Sequence, residues 1–262
     1  MIPYLSQSQL KLLETCPRKF QHVFIDGLPT PPNIEGQESM EWGSRFHLLM
    51  QQRELGLSVN SFLEADDRLS RWFENFVSAA PELFADVGET AFRQAERDIS
   101  LEFDDFLLLG RYDLFVADDR AAKILDWKTY PRPKNRAVLA KDWQTRLYLF
   151  LLAETSDYPP DAISMTYWFA NSQPQAEPQY LSFAYDSKQH QRIKKELRSL
   201  LDKLENWLQD YDNGIPFPMV AETDGACDRC TFSSRCDRDT DSLGEGSTDA
   251  IADISSIEEV VI

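Results

Sequence analysis

Two apolar runs separated by a short polar break, residues 107–116 and 122–128, constrain the fold of this chain more than any other stretch. The first, Leu107-Leu108-Leu109-Gly110-Arg111-Tyr112-Asp113-Leu114-Phe115-Val116, is apolar enough for a buried strand, and Ala122-Lys123-Ile124-Leu125-Asp126-Trp127-Lys128 reads as the next one. Side chains alternate across a strand, so Asp126 and Lys128 share one face while Leu125 and Trp127 share the other. An acid and a lysine at the end of an apolar strand are costly unless paired or bound to a metal. Asp113 precedes Asp126 by thirteen residues. Two carboxylates and a lysine brought together by adjacent strands form the arrangement that metal-assisted phosphodiester hydrolysis needs. Taken alone, an Asp-x-Lys recurs by accident and reads as an ordinary surface pair.

The pattern on either side predicts an α/β chain, a mixed sheet flanked by helices. Ser6 with Gln9 marks a capping box, and Leu10, Leu13 and Phe20 continue a first helix toward Phe24. Pro29-Thr30-Pro31-Pro32 is a loop, a second helix covers 39–55, and further helices lie between 61 and 84. Residues 95–103 alternate through Ile99, Leu101 and Phe103; Asp104-Asp105 turns the chain into the Asp113 and Asp126 strands as an antiparallel meander. After the loop at 131–135, residues 138–155 read as a helix, 163–170 and 179–185 as strands, and 187–211 as a long helix.

A length of 262 residues, 42% hydrophobic content and six Trp indicate one folded domain with an appendage. The domain is expected over 1–236, with a helical insertion about 48–90 and a cysteine-bearing segment at 214–236; residues 237–262 form an acidic tail expected to be mostly disordered. The apolar stretch 147–153 is too short to span a bilayer, and the N-terminus shows no basic region followed by an apolar core. A cytoplasmic location with no membrane partner is the resulting expectation.

The net charge of −17 argues at face value against a nucleic-acid partner. The tail from 237 onward carries eight acids and one base, leaving −10 on residues 1–236. Between Lys128 and Arg146 the sign reverses, with Arg132, Lys134, Arg136 and Lys141 against Asp142 alone. A second basic run, 188–203, has six bases and two acids and reads as a solvated helix face.

Four further features surround the Asp-x-Lys. Gln144 and Tyr148 are four apart on one helix and project from the same side. His47 lies one turn after Gly43, where a missing side chain lets another backbone approach closely. A helical His is commonly a packed residue, but beside a carboxylate site it supplies a nitrogen ligand that favours manganese alongside magnesium. Glu96 opens the strand before Asp113, with Asp98 on its face. The cysteines are patterned: Cys16 alone, then Cys227-x2-Cys230-x5-Cys236. In a cytoplasmic chain clustered thiolates indicate a metal or an iron–sulfur cluster. One distant cysteine plus a triplet suits a cubane better than the paired knuckles of zinc, which is the alternative.

Gly43-x3-His47, Gly110-x2-Asp113, Asp126-x-Lys128 and Gln144-x3-Tyr148, in that order, resemble the RecB-type branch of the PD-(D/E)xK nucleases. Cys16-Pro17-Arg18-Lys19-Phe20 with Cys227, Cys230 and Cys236 resembles its iron–sulfur subgroup, which includes the AddB nuclease domain and the small CRISPR-associated adaptation nucleases. The resemblance runs from about Leu5 to Cys236 and implies a restriction-endonuclease-like fold. By it, His47, Asp113, Asp126 and the carbonyl of Trp127 would bind Mg2+ or Mn2+, and Lys128 would position or activate the attacking water. Glu96 would support the site, and Gln144 and Tyr148 would organise it and the nucleic-acid strand. Cys16, Cys227, Cys230 and Cys236 would hold a [4Fe–4S] cluster joining the N- and C-terminal segments. Arg132, Lys134, Arg136 and Arg146 would hold phosphates. The implied activity is metal-dependent hydrolysis of DNA, as an exonuclease on single-stranded or end-containing substrate in repair, recombination or CRISPR adaptation. The rival is a non-catalytic DNA-binding or adaptor subunit whose partner is a helicase or integrase. No Gly-x4-Gly-Lys-Ser/Thr phosphate loop occurs in the sequence.

Overall fold

A computed structural model describes residues 4–29, 37–79, 92–130, 135–169, 179–228 and 230–238. Six strands form one sheet: β1 (Tyr4–Leu5), β2 (Phe92–Phe103), β3 (Phe106–Ala117), β4 (Ala122–Lys128), β5 (Ile163–Phe169) and β6 (Gln179–Ala184). β2 runs antiparallel along all of β3, from Phe92 opposite Ala117 to Phe103 opposite Phe106. The other edge of β3 is shared. β1 pairs in parallel with its start (Tyr4 opposite Leu107), and β4 pairs antiparallel with its end (Leu114 opposite Leu125). β4 continues in parallel with β5, and β5 antiparallel with β6. The expected meander and mixed sheet are present. A two-residue β1 carries no periodicity, which is why the sequence pattern passed over it.

Helices cover both faces. Along β4, Ala122 and Ile124 face one apolar core, and Leu125 and Trp127 face a second. The first core lies under α1 (Gln7–Thr15), α7 (Trp143–Thr155) and α8 (Ser187–Asp212), where Leu10, Leu147, Leu151 and Leu197 are fully buried with Tyr112, Ile124 and Tyr167. The second lies under α3 (Gln37–Glu54), α4 (Asn60–Glu64) and α5 (Asp67–Ala79). There Phe76 meets Trp127 and Trp168 edge-on at ring distances of 5.7 and 5.6 Å. Full burial of such a ring contributes about 1.5–3 kcal/mol. The stretch expected as an insertion supplies, in its described part, much of the layer that covers this face of the sheet, together with the first turns of α3. Among the described residues no helix is long and apolar enough to cross a membrane.

Two helices predicted as continuous are broken. Residues 7–24 divide into α1, α2 (Pro17–Phe20) and a π-helical turn at Gln21–Ile25, because Cys16 is extended (φ −156°, ψ 99°) and Pro17 starts the next helix. The span 138–155 divides into α6 (Arg136–Lys141) and α7 at Asp142, whose side chain accepts the Gln144 N–H at 2.9 Å as an N-cap. The break aims the first turn of α7 at the end of β4.

After α8 the chain returns to the N-terminal helices. Phe217 is buried against Phe20, its N–H donates to Gln21 Oε1 (2.8 Å), and its carbonyl accepts from Arg18 Nε (2.6 Å). Tyr211 Oη donates to Asp26 at 2.7 Å. These contacts tie the segment after α8 to the N-terminal helices.

Candidate active site

β3 and β4 are paired only from Leu114 and Leu125 to Ala117 and Ala122; continuing that register would set Asp113 opposite Asp126, and there the pairing stops. The two strands diverge at the acids. Trp127 N–H, no longer paired to β3 backbone, donates to Asp113 Oδ2 at 2.6 Å. One carboxylate thus takes over a sheet hydrogen bond where the strands part.

On the β2–β3 side, His47, Glu96 and Asp113 bring one ligand atom each within 4.8 Å of one another, the one such trio of His, Cys, Asp and Glu among the described residues. His47 Nδ1 is 3.3 Å from Asp113 Oδ1. A Cβ on Gly43 of α3 would stand 3.3 Å from Thr129 Oγ1, so what approaches this glycine is a side chain rather than the backbone expected there. Glu96 joins the trio through an unusual backbone: its φ is +48° in the middle of β2, while Ala95 and Arg97 keep their pairing with Leu114 and Tyr112. A left-handed non-glycine residue costs about 1–3 kcal/mol, and such strain gathers at functional positions. Burial first, then the charge of Asp113, pushes the Glu96 carboxyl up to about 7; His47 and Arg111 oppose the rise. Asp98, on the same strand, is exposed and bound by Arg111 (2.7 and 3.2 Å).

On the β4 side, Asp126 and Lys128 are both buried and joined at 2.9 Å. Asp126 Oδ1 also accepts from Gln144 Nε2 at 2.8 Å, so the start of α7 orients the acid. Tyr167, opposite Asp126 on β5, donates toward Gln144 Oε1 (3.4 Å) and shares a hydrogen bond with Thr145 Oγ1 (2.8 Å). Its phenol is pushed well above its ordinary value by burial and then by Asp126. Sequence reading did not name Tyr167, because only the parallel β4–β5 register places it there. Tyr148 is buried, with its ring 5.2 Å from that of Tyr112 and its carbonyl accepting from Tyr112 Oη (3.0 Å).

The structure thus gathers His47, Glu96 and Asp113 on one side, and Asp126, Lys128 and Gln144 on the other, with Trp127 between them through its N–H. Glu96 stands within the compact trio; Asp126 is held by the lysine. One imidazole and three carboxylates suit a hard divalent cation that accepts a nitrogen ligand. The crowding that lifts Glu96 toward neutrality is the electrostatic situation a cation relieves.

The expected phosphate contacts are less concentrated. Arg132 and Lys134 lie outside the described residues. Arg136 donates to the Ser182 carbonyl and covers the Phe183 ring. Arg146 stacks on Trp143 at 3.7 Å and pairs with Glu14 (2.9 Å) and Glu196 (3.4 Å). The basic face of α8 is likewise engaged, Lys194 with Glu154 and Arg198 with Asp104. The four cysteines are half-buried thiols outside any disulfide. No three of their sulfurs lie within 4.8 Å of one another, although Cys16, Cys227 and Cys230 each act electrostatically on Cys236.

A family model described as "PD-(D/E)XK nuclease superfamily" matches residues 4–237. Among solved structures, one described as a "Putative exonuclease" from Eubacterium rectale has a TM-score of 0.56 at 11% identity, covering 92% of this chain and 91% of that one, a likeness of fold. A second, SSO0001, is 13% identical over 74% of this chain and 80% of its own, with a TM-score of 0.37, too loose to argue from. Among curated proteins none matches in sequence. The match over nearly all of the described fold, centred on diverging strands that carry Asp113, Asp126 and Lys128, shows that the chain belongs to the PD-(D/E)XK nuclease superfamily.

Proposed function

We propose that this nuclease is a divalent-metal-dependent deoxyribonuclease of the RecB/AddB type, acting as an exonuclease on single-stranded or end-containing DNA. The observation that carries the reading is the divergence of β3 and β4, with the His47–Glu96–Asp113 trio on one side, a buried acid–lysine pair on the other, and the Trp127 N–H to Asp113 bond linking them. His47, Glu96, Asp113 and Asp126 would hold Mg2+ or Mn2+. Such an ion would polarise the phosphoryl oxygen and lower the pKa of its bound water toward neutrality. Lys128, oriented by Asp126, supplies the positive charge that offsets charge developing on the phosphate. Gln144 fixes Asp126, and Tyr167 fixes Gln144 in turn. The exonuclease assignment draws on the description of the Eubacterium rectale protein and on the sequence resemblance.

The proposal extends to the cysteines. Cys16, Cys227, Cys230 and Cys236 would hold a [4Fe–4S] cluster. Tetrahedral Zn–S bonds of about 2.3 Å set sulfurs about 3.8 Å apart, closer than any three of these stand, whereas a polynuclear cluster holds its thiolates more widely. The nuclease domain would then occupy 1–236, with the acidic segment 237–262 following it and Arg238, at its start, packed back on Val220 and Cys227.

Cleavage of 5′- and 3′-labelled single- and double-stranded DNA by the purified chain tests the reading. Activity should require Mg2+ or Mn2+, vanish with EDTA, release mononucleotides or short products from an end, and be lost in Asp113→Ala. Metal-independent cleavage, or full activity in Asp113→Ala, rejects the site; inert wild-type protein with tight DNA binding favours an adaptor subunit.

A further inference from the structure

The sulfurs of the cysteine segment share a feature that their spacing alone does not reveal. Cys16 Sγ accepts the Lys19 N–H at 3.4 Å, and Cys230 Sγ accepts the Phe232 N–H at 3.5 Å. Cys227 Sγ accepts from the Arg238 guanidinium at 3.4 Å. Cys236 Sγ faces His22 Nε2 at 3.9 Å. Every one of the four is met by a nitrogen, two from backbone and two from side chains.

Both side chains are themselves held. The His22 ring is buried against Phe232 (5.2 Å), and its Nδ1 pairs with Asp26 Oδ2 at 2.9 Å. Asp26 is fixed by Tyr211 Oη (2.7 Å) and Gln21 Nε2 (3.1 Å). The Arg238 side chain is 14% exposed, donates to the Val220 carbonyl and lies 3.7 Å from Glu222. A half-buried, tethered cation on one sulfur, and on another an oriented imidazole that donates through Nε2 when its ring carries both protons, suit a centre of anionic thiolates, since thiolates left without donors are costly in such surroundings. Burial first pushes the Cys236 thiol above its ordinary value; Arg18 opposes that, and the other three cysteines add to it.

We infer that Arg238 and His22 are positioning residues of the four-cysteine centre: Arg238 offsets the charge of the Cys227 thiolate, and His22, aligned by Asp26, fixes Cys236. The inference rests on the cluster reading above and adds two residues that the Cys-x2-Cys-x5-Cys pattern does not contain. Hydrogen bonds and charges at the sulfurs set the reduction potential of an iron–sulfur cluster, and partners of the ligands govern how firmly the metal is held. A one-electron reduction adds a negative charge, so a cation at Cys227 favours the reduced state.

The experiment uses the full chain reconstituted anaerobically with iron and sulfide. It measures iron per chain, midpoint potential by visible absorbance, and iron loss to a chelator. Arg238→Met should lower the potential so that the reduced-to-oxidised ratio at the wild-type midpoint falls about tenfold, 59 mV for a one-electron couple, and Arg238→Lys should recover most of it. His22→Leu should release iron roughly 10-fold faster, with His22→Gln intermediate. Iron-loaded wild type with Arg238→Met at an unchanged potential, or His22→Leu with unchanged iron loss, overturns the inference while leaving the cluster intact. Wild type that takes up no iron, or that holds stoichiometric zinc instead, removes the cluster reading and this inference with it.

Discussion

Replacing Glu96 with glutamine should stabilise the metal-free protein and weaken its hold on a divalent cation, two effects of opposite sign from one side chain. The carboxyl is lifted from an ordinary 4.5 to about 7 by burial and by Asp113. At 1.36 kcal/mol per pKa unit this corresponds to about 3.4 kcal/mol; because the group is only half-buried, solvent screening reduces the usable figure to about 1–2 kcal/mol. Below pH 4.5 both folded and unfolded chains hold the proton, and the favourable folded state is fully present. Between 4.5 and 7 the unfolded chain has ionised while the folded one has not, so stability falls as pH rises. Above 7 the folded protein carries the charge at full cost.

The amide that replaces the carboxyl in Glu96→Gln has the shape of the protonated acid and no such cost at any pH. In metal-free buffer the melting temperature of Glu96→Gln should match wild type near pH 4.5 and exceed it by roughly 2–6 °C at pH 8. Saturating Mn2+ should reverse the order. At 100 times its Kd a ligand stabilises by about 2.7 kcal/mol, and the variant, having lost an anionic ligand, should gain much less. Thermal melts over pH 4.5–8, with and without Mn2+, decide the matter. Parallel wild-type and variant curves across that range, or equal Mn2+ stabilisation of the two, would refute the account of Glu96.

Lys128→Ala should abolish cleavage and also lower stability by about 3–5 kcal/mol in urea unfolding, because it leaves Asp126 buried beside an absent partner. The double variant Asp126→Asn/Lys128→Met should regain most of that stability and none of the cleavage. Gly110→Ala puts a Cβ 3.0 Å from Leu151 Cδ1 and 3.2 Å from Tyr148 Cε1, and should cost about 1–3 kcal/mol by the same assay. Tyr167→Phe removes the hydroxyl shared with Thr145 and directed at Gln144; it should cost about 0.5–1.5 kcal/mol and reduce kcat without raising KM for DNA.

The alternation in residues 107–128 was enough to read β3, β4 and the side on which Asp126 and Lys128 emerge, since period two is a local property. Glu96 was found only as an acid near the start of a strand. Its positive φ, and therefore its reach to His47 and Asp113, depends on β3, which holds Ala95 and Arg97 in register on either side of it. The break at Asp142 was hidden because apolar periodicity continues across it, although an Asp two residues before Gln144 is a capping signal. Arg146 shows the limit of reading charge from composition: its partners, Glu14 and Glu196, lie 132 and 50 residues away. A basic run that follows the Asp126–Lys128 strand can equally serve to dock α1 and α8 onto α7.

The hydrogen bond from the Trp127 N–H also divides the labour of Asp113. Oδ2 is committed to the Trp127 N–H at 2.6 Å, whereas Oδ1 faces His47 at 3.3 Å. The residue thus replaces a lost sheet pairing with one oxygen and leaves the other for the proposed cation. A hydrogen bond to the carboxylate from Trp127 holds β4 at a set distance from β3, and the buried Asp126–Lys128 pair travels with that strand. Stability and site geometry are therefore coupled through one side chain. Asp113 cannot be removed without loosening the strand that carries Lys128, while Glu96, on the far side of β3, can. That difference makes Glu96 the cleaner probe of cation binding and Asp113 the harsher test of activity.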